Sequence, residues 1–166
     1  MSSEVAIIFN VMIRRNAEIH LERFNEYFKG FEKVEAVREL FSDETEKILD
    51  ELKVEFGSRR GYMGVSDEDG HLMVSVPYLR DGDERDIYLD IIHELVHVKQ
   101  FRNGIKLRDN RFRYSNRPTE VEAYAHAVKE ARRLGMTDKE IFEYLRMDNM
   151  SEDDVKALAD AVNVKP

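Results

Sequence analysis

The sequence contains no cysteine. This absence excludes disulfide bonds and thiolate metal sites, so any bound metal ion must be held by histidine and carboxylate side chains. A chain without cysteine is also typical of a reducing compartment, and we expect a cytoplasmic protein. Glutamine is nearly absent too: Gln100 is the only one, whereas charged residues make up 36% of the 166 residues. Abundant Glu, Lys and Arg with few heat-labile amides indicates a thermophilic source.

Long apolar runs are missing as well. No stretch approaches the roughly 20 residues needed to cross a bilayer, so we expect no membrane partner. The first residues, Met1–Glu4, lack the basic flank and the small-residue cleavage site of a signal peptide. The apolar stretch Val5–Ile13 is interrupted by Asn10 and followed by Arg14 and Arg15, which favours a core helix over a signal anchor.

Positive charge is in deficit. Lys and Arg number 26 against 34 Asp and Glu, which gives a net charge of −8. A general nucleic-acid binder needs a basic surface to neutralise phosphates, so we expect no nucleic-acid partner. The arginine-rich segment 105–117 is therefore interpreted as a solvated surface loop.

The length allows one domain with a hydrophobic core. We predict a mostly helical α+β domain over 1–166 with a small antiparallel sheet. It would have N-terminal helices over 1–56, a core that carries the candidate site over 57–135, and C-terminal helices over 136–166. The pattern indicates no particular oligomeric state.

Helical periodicity dominates both ends of the chain. Apolar residues recur at roughly helical spacing from Ile19 to Phe28, where Gly30 would end the helix, and again over 31–41. Cap patterns predict three further helices, which begin at Asp43, Thr137 and Ser151.

The pattern changes in the middle of the chain. Two β-prone segments, 62–65 and 72–78, flank Ser66–Gly70, which is rich in aspartate and ends in glycine. This arrangement predicts an antiparallel hairpin. Because Pro77 cannot donate a hydrogen bond to a sheet, we expect the second strand, Leu72–Tyr78, to be an edge strand or to end there.

The most specific motif follows the hairpin. His93, Glu94 and His97 form an H-E-x-x-H pattern on a helix predicted over 83–103, whose apolar residues surround nearly all sides. Histidines four residues apart lie on one helix face about one turn apart, so both imidazoles can reach one Zn²⁺ ion. Glu94 is placed to act as a general base. We predict a zinc site with His93 and His97 as ligands and Glu94 as the catalytic residue.

A zinc site of this kind needs a third protein ligand. A metzincin would have glycine and histidine at positions 100 and 103, but these positions hold Gln100 and Asn103. The sequence therefore excludes the metzincin pattern, and the third ligand must come from elsewhere in the chain.

Two glutamates on the next predicted helix compete for the third position. That helix begins near Pro118 and runs to Leu134. Glu120 shares its side with small and apolar residues, whereas Glu122 shares its side with His126 and other polar residues. A ligand must face the buried helix, so we favour Glu120 and keep Glu122, and then His126, as alternatives.

The stretch His93–His97 with a downstream Glu120-x-x-Ala123 resembles the gluzincin metallopeptidases. The compact minigluzincins are nearest in size and layout, and the resemblance covers about residues 60–135. It implies a zincin-like domain that shares a strand, the H-E-x-x-H helix and the glutamate helix. Tyr124 stands where the family usually has an aspartate, which orients a ligand histidine.

The resemblance implies a zinc metallopeptidase that acts on a peptide or protein substrate. Glu94 would take a proton from the attacking water and pass it to the leaving amine. The substrate would add as a strand to the edge near Leu72–Tyr78, and Tyr114 or His71 would stabilise the oxyanion. The alternative is a regulatory or binding protein of the same fold, latent or inactive as a peptidase. In a latent form the tail Val162–Pro166 would enter the cleft.

Overall fold

Two small sheets and a set of helices build an α+β fold, as the sequence predicted. The computed structural model describes residues 5–17, 20–58, 61–146 and 150–166. The strands within these residues are β1 (Val5–Ile8), β2 (Val11–Arg14), β3 (Leu21–Arg23), β4 (Phe28–Lys29), β5 (Lys53–Gly57), β6 (Met63–Val65) and β7 (Leu72–Ser75). The α-helices are α1 (Phe24–Tyr27), α2 (Glu35–Phe41), α3 (Thr45–Glu51), α4 (Val76–Asp81), α5 (Glu84–Arg102), α6 (Pro118–Arg133), α7 (Asp138–Leu145) and α8 (Glu152–Ala161).

The N-terminal segment is a β-hairpin and not the core helix predicted from its apolar run. β1 pairs antiparallel with β2, and β4 extends this sheet in the order β1-β2-β4. Phe9 and Asn10 turn the chain with φ angles of 49° and 65°, as a tight hairpin turn requires. Along β2, Val11 and Ile13 are buried, whereas Met12 between them is exposed. The prediction was wrong because both faces of this strand are apolar, which hides the period of two.

The helix predicted from Ile19 to Phe28 is reduced to a single turn. Ile19 lies outside the described residues, and α1 spans only Phe24–Tyr27 between β3 and β4. Gly30 does end the segment, with a φ angle of 94°. A Cβ at this position would lie 2.9 Å from the carbonyl oxygen of Asn10, so glycine is needed for the close approach to the hairpin turn.

The other terminal helices are present close to their predicted positions. The capping box of α7 is complete, because the Thr137 hydroxyl accepts from the Glu140 N–H and Glu140 accepts from the Thr137 N–H. The Ser151 side chain caps α8. The predicted cap at Asp43 is wrong, because α3 begins at Thr45 and no side chain caps it.

The second sheet has the strand order β3-β5-β7-β6. β6 and β7 form the predicted antiparallel hairpin, but β7 also pairs in parallel with β5. β6 is therefore the outer strand on this side, and Leu72–Tyr78 is not an edge strand. The other expected outcome is confirmed, because the strand ends at Ser75, just before Pro77. The chain leaves β7 as helix α4, with Pro77 in its first turn, where a missing N–H costs nothing. The Ser75 hydroxyl caps this helix by accepting from the Tyr78 N–H.

Helix α5 is the central helix, as its all-round apolar pattern predicted. Twelve of its 19 residues are buried. It packs along α6, in which Ala123 and Ala127 are fully buried. Small side chains allow two helix axes to approach closely. The two elements that carry the candidate site are thus held together inside the core.

Candidate metal centre

Helix α5 presents His93 and His97 on one buried face. The helix is capped at its start by Asp83, which accepts hydrogen bonds from the N–H groups of Arg85 (3.0 Å) and Asp86 (3.1 Å). The two histidines are only 4% and 7% exposed. Two polar rings in such an environment need partners, because burying an unpaired polar group is costly.

Glu120 reaches the two histidines from the first turn of α6. Its Oε1 atom lies 3.1 Å from His93 Nε2 and 2.6 Å from His97 Nε2. The two Nε2 atoms are 3.2 Å apart. The ligand atoms of the three residues all lie within 4.8 Å of one another, and the buried group can hold a metal ion.

The alternative third ligands point elsewhere. Glu122 is exposed to solvent. His126 donates from Nε2 to the carbonyl oxygen of Ala36 at 2.6 Å, so it ties α6 to α2. The structure thus brings Glu120 to the histidines, as helix phase predicted, because its side faces α5.

The charges of the three buried groups depend on one another. Burial alone would lower the pKa of His97, but the hydrogen bond to Glu120 and the charges of Glu94 and Glu120 raise it to about 9. Burial alone would raise the pKa of Glu120, but its hydrogen bonds with His93 and His97 hold it well below its usual range. Without a metal ion, a proton on His97 therefore balances the Glu120 carboxylate at neutral pH. A divalent cation can take the place of that proton.

Glu94 lies beside the ligand group. Its Oε1 atom is 4.0 Å from His93 Nε2, and its Oε2 atom is buried without a hydrogen-bond partner among the described residues. Burial raises the pKa of Glu94, while the nearby histidines oppose this shift. The side chain is therefore placed to exchange a proton with a molecule bound next to the ligands.

Gln100 holds His97 in place, a role that the sequence did not predict. His97 Nδ1 lies 2.7 Å from the Gln100 side-chain oxygen. The Gln100 amide nitrogen donates to the carbonyl oxygen of Thr119 at 3.0 Å, next to Glu120. Gln100 is 1% exposed, so one amide links a ligand ring on α5 to the helix that supplies the third ligand. Its helical spacing of three residues from His97 was the available signal.

His93 lacks a comparable partner. Its Nδ1 atom is buried and has no hydrogen-bond partner among the described residues. The Tyr124 ring packs edge-on against the His93 ring, with centroids 4.2 Å apart. The hydroxyl groups of Tyr124 and Tyr114 are 2.9 Å apart. Tyr124 therefore contacts His93 through its ring, which differs from the hydrogen bond that an aspartate would supply to a ligand histidine.

The ligand group opens into a cleft of about 720 Å³. The strand β6 forms part of its wall together with Glu94 and the ligands. Five tyrosines also line it, namely Tyr62, Tyr78, Tyr114, Tyr124 and Tyr144. A cleft of this size admits several residues of a peptide or a molecule of similar size.

Asp90 is a second cleft residue that the sequence did not single out. It accepts hydrogen bonds from the hydroxyls of Tyr78 (2.5 Å) and Tyr144 (2.8 Å). Burial raises the pKa of Asp90 to about 6, although both hydrogen bonds oppose the shift. The contact joins α4 and α7 to the central helix one turn before His93. A carboxylate between the apolar residues Leu89 and Ile91 of the central helix was the available signal.

The two candidates for oxyanion stabilisation are separated by the structure. Tyr114 lines the cleft, and its pKa is raised mainly by burial, with smaller contributions from neighbours that include Glu120 and Glu94. His71 lies outside the cleft lining and is held between Glu55, at 2.8 Å, and Asp69. Only Tyr114 can therefore contact a molecule in the cleft.

The C-terminal tail does not enter the cleft, so that expectation was wrong. Val164 is buried, and the carbonyl oxygen of Asn163 accepts from Arg132 at 2.7 Å. The Lys165 N–H donates to Asp138 at 2.8 Å. The tail is thus packed on the ends of α6 and α7.

The segment 105–117 is only partly the solvated loop that its arginines predicted. Arg113 and the Ser115 hydroxyl bind Asp154 of α8 at 3.0 and 3.1 Å, which anchors the segment to the last helix. Arg108 and Arg117 line the cleft. The segment therefore forms part of the cleft wall.

No protein-family model matches the chain, and neither does any curated protein or solved structure. Within the described residues, no helix combines the length and the apolar character needed to cross a bilayer. The case for a function therefore depends on the geometry of the site.

Proposed function

We propose that the chain is a zinc metallopeptidase of the gluzincin type, with a zincin-like fold. The observation that carries this proposal is the buried group of His93, His97 and Glu120, with Glu94 beside it in one cleft. The proposed ligands are the three residues of that group, and the proposed general base is Glu94.

Zinc is the metal that this donor set favours. Two imidazole nitrogens and one carboxylate oxygen are a known catalytic set for Zn²⁺, which leaves a fourth position open. Hard cations such as Mg²⁺ and Ca²⁺ prefer sites built from oxygen alone. The two Nε2 atoms and the Glu120 oxygen converge on one point, so the residues present fit a zinc ion.

A bound Zn²⁺ would supply Lewis acidity and would lower the pKa of an attached water molecule. Glu94 accepts the proton of the attacking water and passes it to the leaving amine. Its Oε2 atom is available to accept this proton, because no described residue forms a hydrogen bond with it. A tyrosine hydroxyl is protonated at neutral pH, and burial raises the pKa of Tyr114 further. Its hydroxyl can therefore donate to the oxyanion that forms on the scissile carbonyl.

The outer strand β6 supports an extended substrate. The hydrogen-bonded pairs that frame this part of the hairpin are Ser66 with His71 and Tyr62 with Ser75. Such pairs alternate along antiparallel strands, so the backbone N–H and C=O groups of Met63 and Val65 point away from β7. The Val65 carbonyl oxygen already accepts from Arg108 at 3.2 Å. A peptide can therefore add as a further strand along the cleft through the backbone groups of Met63 and the Val65 N–H. The proposal thus places the substrate on β6 and not on Leu72–Tyr78.

The proposal is tested by incubating the zinc-loaded chain with a peptide library and identifying the products by mass spectrometry. We expect internal cleavage, its loss when zinc is removed with a chelator, and its recovery when Zn²⁺ is added back. A chain that binds one equivalent of zinc and cleaves no peptide in the library would contradict the peptidase function.

A regulatory or binding protein of the same fold is the second candidate. One observation favours it: His93 Nδ1 has no hydrogen-bond partner among the described residues, whereas ligand histidines of catalytic sites are usually oriented through that atom. The second candidate retains the metal group but needs no proton transfer by Glu94.

The Gln100→Met chain is expected to bind zinc about 10–100-fold more weakly, as is usual when a partner of a ligand histidine is lost. Methionine keeps the volume but removes the hydrogen bonds to His97 and Thr119. The measurement is a competition titration with a chromogenic chelator. Lys99→Met on the same helix is the control and should retain the wild-type affinity. Equal affinities for Gln100→Met and wild type would show that Gln100 does not position His97.

The metal-free chain is expected to lose stability as the pH rises from 6.5 to 9. The folded-state pKa of His97 is raised from 6.5 to about 9, so its contribution is fully present below 6.5 and disappears as the pH passes 9. The decrease in unfolding free energy should be on the order of 1–3 kcal/mol. Urea unfolding at both pH values measures it. In the zinc-loaded chain His97 is held unprotonated, so this loss should be absent; parallel behaviour of the two forms would contradict the assignment.

A further inference from the structure

We propose that Arg117 is a carboxylate-binding residue of the cleft, which selects peptides that carry a carboxylate close to the scissile bond. The carboxylate can be a free C-terminus or an Asp or Glu side chain. This inference rests on the proposed peptidase function and names the class of substrate that the same site accepts.

Arg117 is the one arginine of the cleft that has no ion pair among the described residues. Three arginines line the cleft. Arg108 is paired with Asp67 at 2.9 Å and also donates to the Val65 carbonyl oxygen. Arg146 is paired with glutamates on α7 and α8. The charges of these two arginines are therefore compensated within the chain, while the charge of Arg117 is not.

The Arg117 guanidinium also contains a donor that lacks an acceptor. Its Nε atom is shielded from solvent and has no hydrogen-bond partner among the described residues. The side chain as a whole is half-buried and lines the same cleft as the metal ligands. A buried N–H without an acceptor is destabilising, so an oxygen supplied by a ligand would remove a cost that the free chain carries.

The position of Arg117 is fixed by its neighbours. Its backbone N–H donates to the Tyr114 carbonyl oxygen at 3.4 Å, and its carbonyl oxygen accepts from the Val121 N–H at 2.9 Å. The guanidinium carbon lies 6.0 Å from the centre of the Tyr114 ring, within the range of a cation–π contact. Arg117 stands three residues before Glu120, one turn from the metal group. A residue held in this way loses little freedom when it binds a ligand.

The planar guanidinium matches a carboxylate better than it matches any other group of a peptide. Its parallel N–H groups can form two charge-assisted hydrogen bonds to the two carboxylate oxygens. The nearby Glu120 does not compete for this guanidinium, because its Oε1 atom is directed at His93 and His97. A peptide carboxylate would therefore supply the missing counter-charge.

The test compares peptides that differ only in this charge. One pair ends in a free carboxylate or an amide, and a second set has Asp or Asn, and Glu or Gln, on either side of the cleaved bond. The wild-type zinc-loaded chain should prefer the charged member of at least one pair on the order of 10–100-fold in kcat/KM. The pair that shows the preference identifies the source of the carboxylate.

Arg117→Gln should abolish this preference, and Arg117→Lys should retain only part of it, because lysine lacks the paired donors. The control is Arg111→Gln, since Arg111 is 84% exposed, is paired with Asp109 and does not line the cleft. It should keep the wild-type ratio. Zinc stoichiometry and thermal unfolding of each variant establish that the site and the fold are intact.

Equal kcat/KM values for charged and neutral peptides in the wild type, or a preference that survives in Arg117→Gln, would overturn the inference and leave the peptidase function standing. A second arm is independent of turnover. Zinc-loaded Glu94→Gln is titrated with the same peptide pairs by calorimetry, with and without Arg117→Gln. Selective binding that needs Arg117 would support the inference even if no peptide were cleaved. Binding without selectivity, or no binding, would refute it.

Discussion

The Glu94→Gln chain is expected to keep its zinc and to lose peptide cleavage by about 10²–10⁴-fold, the usual contribution of a general base. Glutamine has the size of glutamate but cannot accept the proton of the attacking water. Glu94 is not one of the three convergent ligands, and its Oε2 atom is free among the described residues, so zinc should remain bound. The measurement is kcat/KM on a peptide that the wild type cleaves, together with zinc content.

Glu122→Gln is the matched control, because it makes the same chemical change at an exposed position two residues from Glu120. It should retain wild-type activity and zinc. If Glu94→Gln retained the activity of the wild type, Glu94 would not be the base. If wild type and variant bound a partner equally and neither cleaved it, the regulatory or binding function would be favoured.

The Glu120→Gln chain is expected to bind zinc more weakly than the Gln100→Met chain does. Glu120 supplies the only carboxylate oxygen of the three convergent ligand atoms, whereas Gln100 acts through a histidine. An amide oxygen carries no charge with which to balance the cation. Zinc affinity should therefore fall by more than the roughly 10–100-fold typical of a residue that only orients a ligand. Competition titration measures the change.

The same variant changes the metal-free chain. Removing the Glu120 carboxylate deprives His97 of its hydrogen-bonding anion, so the pKa of His97 should fall from about 9. NMR titration of the His97 ring measures this, with Glu122→Gln as the unchanged control. Wild-type zinc affinity in Glu120→Gln would exclude Glu120 as a ligand, and a raised pKa that persisted would show that another group causes the shift.

The parts of the site that follow from local geometry could be predicted. His93 and His97 converge because four residues make about one helical turn. Glu120 was favoured over Glu122 because the two glutamates lie on different faces of α6, and the structure buries the first and exposes the second. The helices α7 and α8 were predicted because their caps, Thr137 and Ser151, act on residues three positions away.

The N-terminal region could not be predicted in the same way. A continuous apolar run such as Val5–Ile13 fits a buried helix and a strand equally well. The hairpin pairs through β2 with β4 (Phe28–Lys29), which comes from a separate segment later in the chain. The inner position of β7 in its sheet is a further example, because its parallel partner β5 is a separate segment earlier in the chain. Strand pairing is a long-range property and leaves little local signal.

The sequence by itself determined that His93 and His97 share one face of a helix and that no thiolate can be a metal ligand. It also determined that Glu120 lies on the inward face of the next helix. Each of these depends on residue type or on spacing within one helix. The tertiary structure alone decided how the site is supported. Gln100 contacts His97, the Tyr124 ring packs on His93, and Arg117 lines the cleft without an ion pair to any residue that the structure describes. These features depend on how side chains from separate segments are oriented when α5, α6 and the 105–117 segment pack, and no local periodicity specifies that orientation.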